Sequence, residues 1–164
     1  MNEIYAYYQA INDGSIVVGK WIKLFYQRII TGLEKGDFYF SAKKATRAIR
    51  FIESFCHHHE GPKAPGLVRL ELWQKAFLSV VFGIVDAEGH RQFSEVVLIV
   101  GRKQGKTLLA GGIGNYMAYA AGEFGSEIYY MAPKLDQADL CFGAFEFNVN
   151  QEPDLARRTR STKT

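Results

Sequence analysis

Residues 96–107 constrain the fold more than any other part of this sequence. They read as an apolar strand (residues 96–100), a loop that contains glycine, and the first turn of a helix. The loop ends in Gly105-Lys106-Thr107, in which glycine lets backbone N–H groups approach a phosphate, lysine reaches the terminal phosphates and threonine can ligate Mg²⁺. The helix that follows directs its positive end at the same anion. The stretch therefore predicts a phosphate-binding loop.

The loop departs from the full phosphate-loop pattern at one position. That pattern has a glycine five residues before Gly105, where this sequence has Val100. We expect Gly101, the next residue, to supply the bend. The alternative is a vestigial loop in an ordinary strand-to-helix turn, and the apolar run before it and the helix after it favour the functional interpretation.

The C-terminal part of the chain predicts an α/β fold. A helix is expected over residues 106–121, a second strand over residues 127–132, stopped by Pro133, and a last helix with Asp136 as its N-cap. Alternating strands and helices imply parallel strands joined by a right-handed crossover. The predicted fold is a P-loop NTPase with a partial parallel sheet and flanking helices, in which nucleotide binds at the carboxyl ends of the strands.

The helix after the loop is rich in small residues. Each glycine costs a helix roughly 1 kcal/mol relative to alanine, so close packing is expected to compensate. We expect this helix to lie very close to the sheet through Ala110, Gly111, Gly112, Gly114 and Ala118.

The first third of the chain predicts a small helical region that precedes the P-loop domain. Apolar residues recur at helical spacing over residues 4–11 and 17–29, and again after Ser41, a predicted N-cap. Residues 61–66, rich in glycine and proline, predict a linker. We therefore divide the chain into a helical region, residues 1–60, and the first part of an ATPase domain, residues 61–164.

The histidines and cysteines do not predict a metal site. His57, His58 and His59 are consecutive and point in different directions around a helix, so a solvated helix end is the favoured interpretation. Cys56 and Cys141 have no metal or redox spacing, which suits a reducing compartment and small core residues. No stretch is long and apolar enough to span a bilayer, and the net charge of +3 permits contact with nucleic acid without requiring it.

Trp73 and Gln74 stand where a helix is expected to begin, ahead of the loop. A glutamine amide offers both donors and an acceptor, which complements the edge of adenine. A surface glutamine is the ordinary alternative. Its position before the phosphate loop makes Gln74 a candidate adenine ligand.

Three motifs, in this order and spacing, resemble the large terminase subunits of tailed bacteriophages. They are Leu72-Trp73-Gln74, the loop of residues 102–107, and the run of residues 132–138 with its Pro133 and Gln137. The upstream helices and the linker after the histidines are similar to the amino-terminal part of that family, so the resemblance covers nearly the whole chain.

The resemblance implies roles for individual residues. Lys106 and Thr107 would take the phosphate and magnesium roles already argued from chemistry, and Gln74 would match the glutamine associated with adenine. Arg102 would match a loop arginine that stabilises charge on the transferring phosphate, with a solvated cation as the alternative. The residues implied in binding ATP and Mg²⁺ are Trp73, Gln74, Gly101, Arg102, Lys103, Gln104, Gly105, Lys106 and Thr107.

The resemblance also implies a function. Large terminase subunits are ATP-driven motors that package viral DNA into the prohead, and a separate nuclease domain cuts the DNA. The implied partners are double-stranded DNA, the small terminase subunit, the portal protein and further copies in a ring, in the cytoplasm of the bacterial host and without a membrane.

The likeness stops before two acidic motifs. No apolar strand ending in Asp-Glu, which would hold magnesium and activate water, follows Ala138, and the nuclease cluster is missing. We therefore expect a truncated chain that binds nucleotide weakly and turns over ATP poorly or not at all. The alternatives are another P-loop ATPase, a nucleotide kinase, or a non-catalytic assembly module with a vestigial loop.

Overall fold

A computed structural model describes residues 2–162 and divides them into two compact units. The first unit combines the described residues up to Ile49 with Leu70–Val97. The second combines Arg50–Arg69 with the described residues from Leu98 onward. The units are interleaved along the chain. The predicted boundary between residues 60 and 61, where the helical region would end and the next domain begin, stays a prediction.

The structure is mostly helical. In chain order the elements are α1 (Glu3–Asn12), α2 (Lys20–Lys35), β1 (Tyr39–Phe40), α3 (Ala42–Phe55), α4 (Leu72–Gly83), β2 (Ile84–Val85), α5 (Lys106–Tyr119), α6 (Leu135–Gln151) and α7 (Pro153–Ala156). Within residues 2–162, no helix is long and apolar enough to cross a membrane.

The first unit is built from α1, α2 and α4 around one apolar cluster. Its members recur three and four residues apart on each helix, so one face of each helix is buried. Tyr7 of α1 meets Tyr26 of α2 edge to face, with ring centroids 4.9 Å apart. The buried members of the cluster are Ile4, Tyr7, Ile11, Tyr26, Ile29, Ile30, Ala76, Val80 and Ile84.

The predicted end of α1 and the predicted start of α3 are confirmed. The helix expected over the first residues ends at Asn12, with Asp13 as its C-cap. The helix expected after Ser41 begins at Ala42, and the Ser41 carbonyl accepts the Ala45 N–H at 3.1 Å. Ser41 thus closes the first turn, which is the position that a small polar residue favours.

The predicted parallel sheet is not found among the described residues. Their only sheet is the antiparallel pair β1–β2, in which Tyr39 faces Val85 and Phe40 faces Ile84. Residues 96–100 and 127–132 form no strand. Exposed and half-buried residues nevertheless alternate over residues 97–100 and 127–131, as they do along a strand. Ile99 is 88% exposed and Met131 is 90% exposed.

The absence, among the described residues, of backbone hydrogen bonds to a partner strand explains why the two segments alternate in exposure but form no strand. A short run of apolar residues predicts an extended backbone. A strand exists only where a second strand accepts and donates its backbone hydrogen bonds. In the described part of the chain the two segments form no such ladder with each other. The described residues therefore form helices and one small antiparallel sheet, without the predicted α/β layer.

In the second unit, the small residues of α5 pack against helix α6. A Cβ atom added to Gly111 would lie 2.9 Å from the Ala144 Cβ and 3.0 Å from the Phe145 backbone nitrogen. One added to Gly112 would make an ordinary contact with Ile52 at 3.4 Å. The close packing expected of this helix is confirmed, but its partner is α6 instead of a sheet.

The segment after α3 is held by hydrogen bonds. The His58 N–H donates to the Gly66 carbonyl at 2.9 Å, and the Val68 N–H donates to the Cys56 carbonyl at 2.8 Å. His57 and Leu67 form an isolated antiparallel bridge. The predicted linker over residues 61–66 is therefore a closed turn that returns the chain alongside its own start.

The two thiols of this unit differ in burial, and this difference predicts their reactivity. Cys56 is fully buried, and burial raises the pKa of its thiol to about 12, with a further contribution from the Glu152 carboxylate. Cys141 is only partly buried, although burial also raises its pKa. Because the thiolate is the nucleophile, we expect a thiol reagent at mildly alkaline pH to label Cys141 first and Cys56 only when the chain unfolds. A Cys141→Ser variant should lose the fast phase, and rapid labelling of Cys56 in that folded variant would contradict this assignment.

Candidate functional site

The loop between residues 101 and 107 turns through two residues in the left-handed conformation. Gly105, the N-cap of α5, has φ 74° and ψ 19°, and Lys103 has φ 62°. Glycine takes this conformation without steric cost. The bend expected at Gly101 lies elsewhere, because Gly101 has no positive φ and a Cβ added there would meet only the Gln104 side chain at 3.8 Å.

Lys106 and Thr107 are the first two residues of α5. Lys106 is exposed and Thr107 is half-buried. The first intrahelical bond at this end runs from the Leu109 N–H to the Gly105 carbonyl, at 2.9 Å. The amides of residues 106–108 precede it and have no acceptor within the helix, and no side chain caps this end. The start of α5 can therefore donate backbone hydrogen bonds to an anion, beside one lysine ammonium.

The remaining loop residues are exposed. The turn that leads into α5 consists of four exposed residues, Gly101, Arg102, Lys103 and Gln104. Arg102 and Lys103 place two cations within a few residues of Lys106. The loop therefore brings positive charge and free amides together, which suits a polyanionic ligand.

Gln74 is already engaged in holding a helix. It occupies the third position of α4, is buried, and its Oε1 accepts the Glu71 N–H at 2.9 Å. The Glu71 side chain accepts a backbone N–H in return, which completes a capping box. This role was not predictable from the usual sequence signature, which begins with serine or threonine, because the N-cap here is glutamate.

The capping box leaves the Gln74 amide nitrogen as the group for any further partner. Trp73, beside it, is partly buried against the apolar cluster of the first unit. Gln74 and Trp73 belong to the first unit and residues 101–107 to the second. The adenine role of Gln74 stays a prediction.

His57 joins three segments of the second unit and is not part of a solvated helix end. Its backbone N–H donates to Asn148 Oδ1 at 2.8 Å, its Nδ1 lies 2.7 Å from the Pro65 carbonyl, and its Nε2 lies 2.7 Å from Glu152 Oε1. Both ring partners are acceptors, so both contacts are hydrogen bonds when the ring carries two protons. His57 thus fastens the closed turn to the end of α6.

Neither a metal cluster nor an acidic strand accompanies the loop in residues 2–162. No group of three or more His, Cys, Asp or Glu side chains in this range is placed to hold a metal ion. The chain after Ala138 continues as helices α6 and α7. Within residues 101–107, the side-chain oxygens are the Thr107 hydroxyl and the Gln104 amide oxygen.

Comparison with known proteins gives one match. A family model described as "Terminase large subunit, ATPase domain" matches residues 72–164, more than half of the chain. The match begins at the first residue of α4 and includes Trp73, Gln74 and the whole loop. No curated protein and no solved structure matches the chain.

Proposed function

Since this chain belongs to the terminase large subunit family, in its ATPase domain, we propose that residues 101–107 bind the phosphates of ATP. The observation that supports this is the start of α5, where uncapped amides, a left-handed Gly105 and Lys106 stand together. An ATPase role follows from the family. The assignment of this loop as its phosphate site is our proposal.

Each loop residue has a part that suits its chemistry. The amides of residues 105–108 would hold the phosphate oxygens, and the Lys106 ammonium would neutralise the terminal phosphates. The Arg102 guanidinium, which is exposed and in the same turn, would stabilise charge on the transferring phosphate. Lys103 and Gln104 would line the loop, and Gly101 would leave room for the ligand.

The Thr107 hydroxyl would hold Mg²⁺. It is the hydroxyl of the second helical residue, next to the lysine that meets the phosphates. When bound, the ion neutralises charge between the phosphates. A neutral oxygen in this position fits the preference of Mg²⁺ for oxygen ligands.

In the complete packaging machine, we propose that ATP hydrolysis by this domain drives viral DNA into the prohead. The partners would be double-stranded DNA, the small terminase subunit, the portal protein and further copies in a ring, within the bacterial cytoplasm, and a nuclease domain would cut the DNA. ATPase activity that rises when double-stranded DNA is added to the full-length protein would support the motor. Phosphoryl transfer to a small acceptor would favour a nucleotide kinase.

A non-catalytic assembly module is the second candidate. Val100 in place of the pattern's glycine favours it. Binding of Mg-ATP, with or without turnover, would support the phosphate site. Failure of both ATP and pyrophosphate to bind would favour the module.

The adenine role of Gln74 predicts a difference between two ligands. Gln74→Ala removes the amide and should weaken ATP more than pyrophosphate, because only ATP carries the adenine edge. Alanine also breaks the capping box with Glu71, at a cost of about 1 kcal/mol. Calorimetric titration with each ligand measures the two losses.

Gln74→Glu is the matched variant. Glutamate keeps the acceptor for the Glu71 N–H but has no amide N–H to donate to adenine. We expect it to lose affinity for ATP and to keep affinity for pyrophosphate. Equal losses for the two ligands in both variants would remove Gln74 from adenine recognition and leave the phosphate site untouched.

A further inference from the structure

Helix α2 has two apolar faces, and only one of them is buried. Tyr26, Ile29 and Ile30 lie in the core of the first unit. Trp21, Leu24 and Phe25, spaced three and four residues apart, share a second side of the helix. Trp21 is 77% exposed, and Leu24 and Phe25 are each 43% exposed. We call these three residues the outer face of α2.

Contacts with the core residues of α2 hold the outer face in position. Phe25 packs edge to face on the buried Tyr26, with ring centroids 5.2 Å apart. The core residues of α2 fix the rotation of the helix, so the outer face cannot turn inward without emptying the core. A contiguous apolar patch that the fold itself keeps in solvent is typical of an interaction site.

Cations surround this face. Helix α2 carries Lys20, Lys23, Arg28 and Lys35 against one carboxylate, Glu34. The Lys20 ammonium lies over the Trp21 ring, 5.5 Å from its centroid. Within residues 2–162, no salt bridge joins any of these four cations to an acidic side chain. Their charge is therefore available to a partner.

We propose that the outer face of α2 docks an acidic amphipathic helix of another protein. Trp21, Leu24 and Phe25 would meet its apolar stripe, and Lys20 and Arg28 would meet the carboxylates that flank the stripe. This goes beyond the nucleotide function and does not depend on the phosphate loop.

The charge and the extent of the outer face favour an acidic helix over other occupants. In a symmetric dimer through this face, the same cations of two copies would approach each other, which costs free energy. A membrane surface needs an apolar face along the length of a helix, whereas the exposed large apolar residues of α2 lie within its first six residues. Leu24 and Phe25 offer DNA neither charge nor a hydrogen bond, but they complement the apolar stripe of a helix.

Two synthetic helical peptides test the proposal. Both carry leucine at heptad positions a, d and e. One has glutamate at the remaining positions and the other has lysine. With fluorescein-labelled peptides, we expect the anisotropy to rise when the chain is added to the glutamate peptide and to stay constant with the lysine peptide.

Three variants locate the binding. Trp21→Ala removes the largest exposed ring and should weaken the glutamate peptide about tenfold or more, as interface tryptophans do. The double variant Lys20→Glu with Arg28→Glu should reverse the preference between the peptides. Phe124→Ala removes a fully exposed ring in the other unit and should change neither affinity. All the changed side chains are exposed, so far-UV circular dichroism should match the unmodified chain.

Several outcomes would overturn the proposal. Equal binding of both peptides, or equal losses for Trp21→Ala and Phe124→Ala, would show that the acidic helix does not use this face. A dimer in sedimentation velocity that Trp21→Ala abolishes would assign the face to a second copy. Binding to phosphatidylglycerol vesicles or to duplex DNA that Trp21→Ala abolishes, without binding of the glutamate peptide, would assign it to a membrane or to nucleic acid.

Discussion

Replacing Gly111 by alanine is expected to lower the free energy of unfolding by about 1–2 kcal/mol. The added Cβ would lie 2.9 Å from the Ala144 Cβ and 3.0–3.1 Å from backbone atoms of Phe145 and Ala144. Backbone atoms cannot move aside as the end of a side chain can, so α5 and α6 must separate. Overpacking costs typically about 1–3 kcal/mol, and the better helix propensity of alanine offsets up to about 1 kcal/mol of this.

Gly143 provides the matched control for this substitution. It lies inside α6, and a Cβ added there would meet nothing within 4 Å. Gly143→Ala should therefore raise the free energy of unfolding by about 0.5–1 kcal/mol through helix propensity alone. Urea unfolding followed by circular dichroism measures both variants. A change of the same sign and size in the two would contradict the close contact of α5 with α6.

Lys106→Ala is expected to weaken Mg-ATP between about tenfold and hundredfold. A hydrogen bond to a charged group contributes about 1.5–3 kcal/mol, and 1.4 kcal/mol corresponds to a tenfold change in affinity. Lys106 is exposed at the first position of α5, so its removal should leave the fold unchanged. Displacement of a fluorescent ATP analogue measures the affinity.

Lys134→Ala is the control for charge. Lys134 is an exposed lysine at the start of α6, in the same unit, so the variant loses the same charge beside another helix N-terminus. We expect its affinity for Mg-ATP to change less than twofold. Equal weakening by Lys106→Ala and Lys134→Ala would mean that ATP responds only to the net charge of the unit.

The helices of this protein are largely predictable from its sequence, because their determinants are local. Apolar residues at helical spacing identified α1 and α2, and Ser41 identified the start of α3. The phosphate-loop motif identified the start of α5. The family was also predictable, because three short motifs in a fixed order carry it, and the family model confirms it.

The sheet was not predictable in the same way. Residues 96–100 are an apolar run and residues 127–132 are rich in apolar and aromatic side chains, as strands are. A ladder, however, depends on a partner that is often distant in the sequence. The packing of α5 shows the same limit. Its glycines predicted a close approach, and a face of small residues suits a helix such as α6 as well as a sheet.

The geometry of the candidate loop was only partly predictable from its residues. The position of Lys106 as the first residue of a helix follows from the motif. The left-handed conformation of Lys103 does not, since lysine has no preference for it. The roles of Gln74 in a capping box and of His57 between three segments depend on partners that no local pattern specifies.

Nuclear magnetic resonance of the uniformly ¹⁵N-labelled chain, titrated with pyrophosphate, tests the central claim most directly. The claim is that backbone amides at the start of α5 hold the phosphates. We predict that the amide signals of Gly105, Lys106 and Thr107 shift together and saturate, whereas those of α2 stay in place. No saturating shift at these three amides, or saturating shifts confined to other residues, would contradict the claim.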